Sequence, residues 1–434
     1  MAELSAQWVL EDVVVEHAEE AAFLWEQREE AVRSPDYDLD DILTLDERLG
    51  AHLDGLHIAG AHGWAACKEI GWDLPGEYFT SAALAIYLQD DTAIDEVLDA
   101  AEGDRDASRA VISAFGWAFP ERLRGRVKRL LSDPSPHRRR IAIGACAVHR
   151  TDPGEFLDRA LEDPDADLRA RAARAAAELG RVDCLPVLEA QLEADNDELR
   201  FWSAWAGVRL GSVPARRVLG AYAGHEGHPR RRFALGLVLR AMSPERSRAW
   251  VSQISKTPGQ RRWALIASGM QGDPVYLPGL IGQFDDEEHA RVAGESFERI
   301  TGLDIFRESL EVIPPPYEPT VGTEAEEQTV EQLLEDDEDD DDEDLGEDLG
   351  LVIPDRAKMQ AWFDRNGARF EPGTRFLCGR PIEAAQCLQV LHTGRQRQRI
   401  AAALELALAD PRRPIFEWRA PAIQQRQALA RLRS

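Results

Sequence analysis

The 434-residue sequence has little lysine, no paired cysteine pattern and no long apolar run. Lysine occurs only as Lys68, Lys128, Lys256 and Lys358, so almost all of the 51 basic residues are arginine. The five cysteines, Cys67, Cys146, Cys184, Cys378 and Cys387, are scattered and odd in number. That excludes a disulfide framework or C-x-x-C zinc ligation and reads as reduced core thiols in a cytoplasmic protein. Without about 18 consecutive apolar residues no membrane span is expected. Met1 to Leu10 carry no basic region followed by an apolar run, so no signal peptide is expected either. No G-x-x-x-x-G-K-S/T loop, G-x-G-x-x-G turn, G-x-S-x-G elbow or H-E-x-x-H helix occurs. No catalytic residue, cofactor or metal site is indicated.

What is present is arginine on a beat. Arg138, Arg169, Arg200, Arg231 and Arg262 stand 31 residues apart. Pro153, Pro186, Pro214, Pro244 and Pro274 keep nearly the same step. A period of this size is the signature of a solenoid. Within one repeat, Pro186 suits the first turn of a helix whose stripe is Leu185, Leu188 and Leu192. Asp195, Asn196 and Asp197 then turn and offer N-caps. A second helix carries Leu199, Trp202, Ala206 and Leu210 and stops at Gly211. The preceding repeat reads alike, from Asp163-Pro164-Asp165 through Leu168, Ala172, Ala176 and Leu179 to Gly180. Two short helices cannot bury both apolar faces alone, whereas stacked pairs can. The expected class is all-α, an α-solenoid with an N-terminal helical cap and a small helical C-terminal module.

Four regions follow from composition: a helical cap over 1–129, the repeats over 130–302, a Pro-rich and acidic disordered linker over 303–353, and a basic helical module over 354–434. Glu335 to Asp344 are consecutive acids, in a chain of net charge −28. The last region carries the opposite sign. At the N-terminus, helices are expected over 1–33 and from Asp40 to about Ile70. His52, His57 and His62 are five apart there, which walks around a helix instead of presenting a metal pair.

Each beat arginine falls in the first turn of a second helix, where the macrodipole disfavours a cation. Two readings stay open. Asp133, Asp163, Asp165, Asp167, Asp195 and Asp197 could pair with the row as an inter-repeat ladder, or the row is exposed and grips an acidic partner. Trp202 lies on the stripe and reads as core. Trp205, off it, is either core or an aromatic anchor facing a groove. Arg395, Arg397 and Arg399 are candidate tail contacts. The loop His225-Glu226-Gly227-His228-Pro229 holds two imidazoles and a carboxylate but no further ligand, so it reads as a capped turn.

The segments Asp163-Pro164-Asp165-Ala166-Asp167-Leu168-Arg169 and Leu179-Gly180 resemble the short HEAT-like repeats of bacteria, first noted in phycobilisome lyases. Arg375 to Ile382, Gly394 to Glu405 and Phe79 to Leu84 look like an uncharacterised family of bacterial HEAT-like proteins, often encoded beside type VI secretion components. The resemblance implies a non-catalytic scaffold, adaptor or chaperone with a protein partner, such as a secretion effector or spike component. It supplies no catalytic residue. The alternatives are a phycobilin-lyase-like enzyme or subunit, and a HEAT-type DNA-binding protein. The net charge argues against a nucleic-acid partner.

Overall fold

The computed structural model describes residues 9–313, 348 and 350–433. The fold is all-α, a solenoid of helix pairs, as the repeat period implies. The chain forms two compact units. Unit one comprises Met1–Arg33, Tyr37–Val251 and Pro381–Ser434; unit two comprises Ser34–Asp36 and Ser252–Arg380. The expected C-terminal module over 354–434 is therefore shared between the units. The linker residues 314–347, with the acidic run Glu335 to Asp344, lie outside the described residues.

Unit one opens with α1 (Glu11–Ala31), α2 (Leu39–Ala59), α3 (Ala61–Glu69) and α4 (Pro75–Leu88), which pack on one another. The run expected from Asp40 to Ile70 breaks at Gly60, whose φ of 59° ends α2. Trp25 and Phe79 stack in this core with centroids 5.2 Å apart. The helix pairs follow: α5 (Asp91–Ala100) with α6 (Arg105–Trp117), then, past a short α7 (Pro120–Leu123), α8 (Arg126–Leu131) with α9 (Pro136–Val148). Next come α10 (Glu155–Leu161) with α11 (Ala166–Leu179), α12 (Leu185–Ala190) with α13 (Asp197–Leu210), and α14 (Val213–Gly224) with α15 (Arg231–Ala241).

The caps that set these helices are those the sequence offers. Asp165 accepts from the Leu168 N–H at 2.7 Å and Asn196 from the Leu199 N–H at 2.9 Å. Gly180 and Gly211 take the left-handed conformation that closes α11 and α13. The second helices α6, α9, α11 and α13 stack in sequence. α11 is largely alanine and is buried nearly all round, because small side chains let its neighbours approach closely.

α16 (Pro244–Lys256) leads into unit two, where α17 (Arg261–Gln271) and α18 (Leu277–Ile281) pack against α19 (Ala290–Thr301). Phe297 of α19 meets Trp362 of α20 (Arg356–Asn366) edge-on at 5.8 Å. The stretch after α20 crosses the ends of α17 and α19. The Phe376 N–H donates to Gly272 O at 2.8 Å and the Cys378 N–H to Arg299 O at 2.8 Å.

Unit one resumes with α21 (Ala384–Thr393), α22 (Gln396–Ala409) and α23 (Ala422–Arg433). α22 packs on α13 and α15. The segment between α22 and α23 runs across the C-terminal ends of α9, α11 and α13. Arg150 Nε donates to Ile415 O at 2.5 Å, the Ile415 N–H to Glu178 O at 2.9 Å, and Arg209 to the Pro411 and Arg413 carbonyls. Asp46 anchors its far end, accepting from Arg28 Nε and the Ala422 N–H, both at 2.5 Å.

Candidate functional site: an arginine-lined cavity in unit one

A second row keeps the 31-residue step. It is Arg109, Arg140, Arg171, Trp202 and Phe233, each two residues after a beat position except the first, which precedes the series. Two residues turn a helix through about 200°. This row therefore stands on the face opposite Arg138, Arg169 and Arg200. Arg109 belongs to it, although its 29-residue distance from Arg138 suggests a degenerate member of the first row.

Arg109, Arg140, Arg171 and Trp202 line a cavity of about 400 Å³. Helices α6, α9, α11 and α13 supply one wall. Glu29 and the Glu417–Pro421 segment supply the rest, with Arg105 and Arg230 at the mouth. Arg105 is 56% exposed and bridges Asp167 at 2.9 Å and Glu198 at 3.1 Å. Arg230 also pairs with Glu198. Arg109 binds Glu29 at 2.7 Å. Two guanidiniums stack on the Trp202 ring, Arg174 at 4.6 Å and Arg230 at 5.6 Å, and its N–H donates to Glu198 at 2.6 Å.

Behind the wall sits Glu178, buried and answered by Arg171 at 3.0 Å and Arg174 at 2.8 Å. Burial by itself would raise its carboxyl. Arg171, Arg174, Arg150 and Arg419 outweigh that and hold it well below the usual carboxylate range. Glu417 is held down in the same way, by Arg150 and Arg419 against its burial.

Arg140 differs from its neighbours. It donates to Ser108 Oγ at 2.5 Å and lies 3.4 Å from His137 Nδ1, and it forms no ion pair among the described residues. Burial lowers its pKa, and Arg105 and Arg171 add to that against Asp167 and Asp165. Asp165 is occupied in capping α11.

The beat arginines have varied surroundings. Arg138 reaches back to Asp95 and Asp99 of α5, both at 2.6 Å. Arg169 forms no ion pair among the described residues, and its Nε is buried without a hydrogen-bond partner. Asp163 of its own turn is taken by Arg139 at 2.7 Å. Arg200 bonds Asp197 at 2.6 Å and the Tyr222 hydroxyl at 3.0 Å. Arg231 is buried and donates to Ala223 O at 3.2 Å. Arg262 in unit two binds Asp348 through both nitrogens, at 2.6 and 2.8 Å.

Of the two readings open for Trp205, the structure has core, while Trp202 departs from its expected place. Trp205 is 2% exposed and packs on Trp202 and Phe233, so it does not face a groove. Trp202, the expected core residue, lines the cavity. Position along the stripe fails here because α13 is covered on more than one side. The tail arginines point to internal partners. Arg399 is fully buried and binds Leu391 O, Gln396 and Gln425, and Arg397 donates to Arg33 O at 3.0 Å. Arg395 is half-buried before α22. In the histidine loop, His228 Nδ1 accepts from the Arg230 N–H at 3.1 Å. Its ring lies 5.8 Å from that of His225.

The stacked helix pairs and their caps carry the comparison with known proteins. Residues 153–240 match the family model for HEAT repeats. The match covers the repeats from α10 to α15. No curated protein and no solved structure matches the chain. HEAT repeats generally serve as protein-interaction scaffolds and are generally non-catalytic. No helix among the described residues is long and apolar enough to cross a membrane.

Proposed function

We propose that the chain is a non-catalytic interaction scaffold whose binding face is the inner row of unit one, and that it grips an acidic segment of a protein partner. The observation that carries this is Arg140: a guanidinium on a concave wall, among other arginines, with no carboxylate answering it among the described residues. A guanidinium fork presents paired donors that match carboxylates. A concave array of helix pairs is the surface solenoids use for partners. The indole of Trp202, fixed by Glu198, offers a rigid wall beside the charge.

A cytoplasmic adaptor or chaperone for a type VI secretion effector or spike component is the form of this reading that the resemblance of Arg375–Ile382 and Gly394–Glu405 favours. A phycobilin-lyase-like activity would need an uncharged cavity for a tetrapyrrole, whereas seven arginines and five carboxylates stand among the residues lining this one. The test is anisotropy of a labelled glutamate-rich peptide with the full chain at low salt. Saturable binding that Arg140→Glu abolishes supports the reading. Equal binding by wild type and Arg140→Glu overturns it.

A further inference from the structure

Seven arginines line the cavity against five carboxylates, and Glu178 behind the wall makes a sixth. One guanidinium is left over, and the ion pairs identify it as Arg140. A donor without an acceptor stands in the same wall. Trp117 is 9% exposed, lines the cavity, and its indole N–H is buried with no acceptor among the described residues. Buried donors normally find partners, and Arg140 spends one donor on Ser108 Oγ while no carboxylate among the described residues answers its charge, so the wall holds an excess of positive charge and of donors that points to an acceptor from outside. The remaining wall is apolar, formed by Ile112, Gly116, Val148 and Pro421.

A single carboxylate offers one charge and two oxygens. A phosphate monoester offers nearly two charges and three strong acceptor oxygens. It can therefore answer the charge of Arg140 and still offer an oxygen to the Trp117 N–H, which a turn of the buried indole would bring to the cavity. The cavity volume suits a group of that size carrying a small organic substituent. We infer that the Arg140–Trp117 cavity is a receptor for a phosphate monoester, presented by a partner's side chain or by a small organic phosphate. This rests on the reading of the inner row as the binding face and specifies the chemistry recognised there.

Calorimetry on the full chain tests it with phenyl phosphate, a phosphoserine peptide, the unphosphorylated peptide and the same peptide with aspartate at the serine. The expected result is that the phosphopeptide binds about tenfold or more tighter than either counterpart, the scale of one charge-assisted hydrogen bond. Arg140→Lys, which keeps charge but not the fork, and Trp117→Phe, which removes the N–H, should each weaken it. Arg138→Ala on the opposite face should leave it unchanged, and parallel melting curves show that each variant is folded. Phenyl phosphate binding with the same variant dependence assigns the site to the small molecule; binding of the phosphopeptide alone assigns it to a protein. If phosphorylated and aspartate peptides bind equally, the phosphate inference falls while the acidic-partner reading stands. If the glutamate-rich peptide fails but phenyl phosphate binds through Arg140, the partner reading falls and the site remains. If no phosphate binds, the inference is overturned.

Discussion

At the scale of single residues, the inner wall is organised by a charge that cannot be removed cheaply. Glu178 is buried and shared by Arg171 and Arg174, with Arg150 and Arg419 close enough to act on it. Glu178→Gln would keep the shape and strand two partly buried guanidiniums. Breaking a buried pair on one side costs about 3–5 kcal/mol, so urea unfolding should show a loss of that order. The pH dependence has a definite sign. The folded carboxyl is depressed, so its contribution is complete above the ordinary value of 4.5 and drains as pH falls below it. The wild type should therefore lose melting temperature faster than Glu178→Gln under acid titration. Equal slopes would place the protective charge elsewhere.

At the scale of elements, the helix ends within the repeats are legible in the sequence, whereas the break at Gly60 in the cap is not. Asn196, Asp165, Gly180 and Gly211 sit where cap chemistry puts them. What the repeat pattern did not contain was the tail. Glu417, Arg419 and Pro421 reach the cavity from more than two hundred residues away, and no local period encodes such a contact. The glycines test this docking. Gly180 and Gly211 both have positive φ, but a Cβ on Gly211 meets nothing, whereas one on Gly180 would lie 2.5 Å from Arg412 O. Gly211→Ala should cost about 1 kcal/mol, from backbone strain. Gly180→Ala should cost a further 1–3 kcal/mol or so, because the tail backbone must move. Equal losses in denaturant titrations would mean that the tail does not rest on α11.

At the scale of the whole molecule, buried His137 and half-buried His149 set a stability limit on the acid side. His137 lies 2.9 Å from Leu98 O and His149 lies 2.8 Å from Phe115 O, each through Nε2. Burial pushes both below the usual histidine value, with Arg140 adding to the effect at His137. The unfolded chain takes up protons near 6.5, while the folded chain resists them. Stability should therefore begin to fall as pH drops below about 6.5, ahead of the carboxylates. His149→Gln should flatten that limb in a melting series. An unchanged limb would assign it to other groups.

The solenoid period is legible in the arginines, yet the row at 138, 169 and 200 is not the row that lines the cavity. Arg138 and Arg140 differ by two positions in sequence and by about half a turn on α9. The first meets Asp95 and Asp99; the second meets no carboxylate among the described residues. The same period carried both rows, and only the packing of α6, α9, α11 and α13 distinguished them. The most direct measurement compares Arg138→Ala with Arg140→Ala in one experiment that reads melting temperature and acidic-peptide affinity together. The account predicts that Arg138→Ala lowers the melting temperature and leaves affinity intact, while Arg140→Ala lowers affinity and leaves melting nearly unchanged. Loss of affinity in Arg138→Ala with none in Arg140→Ala would put the binding face on the other side of the helices and contradict it.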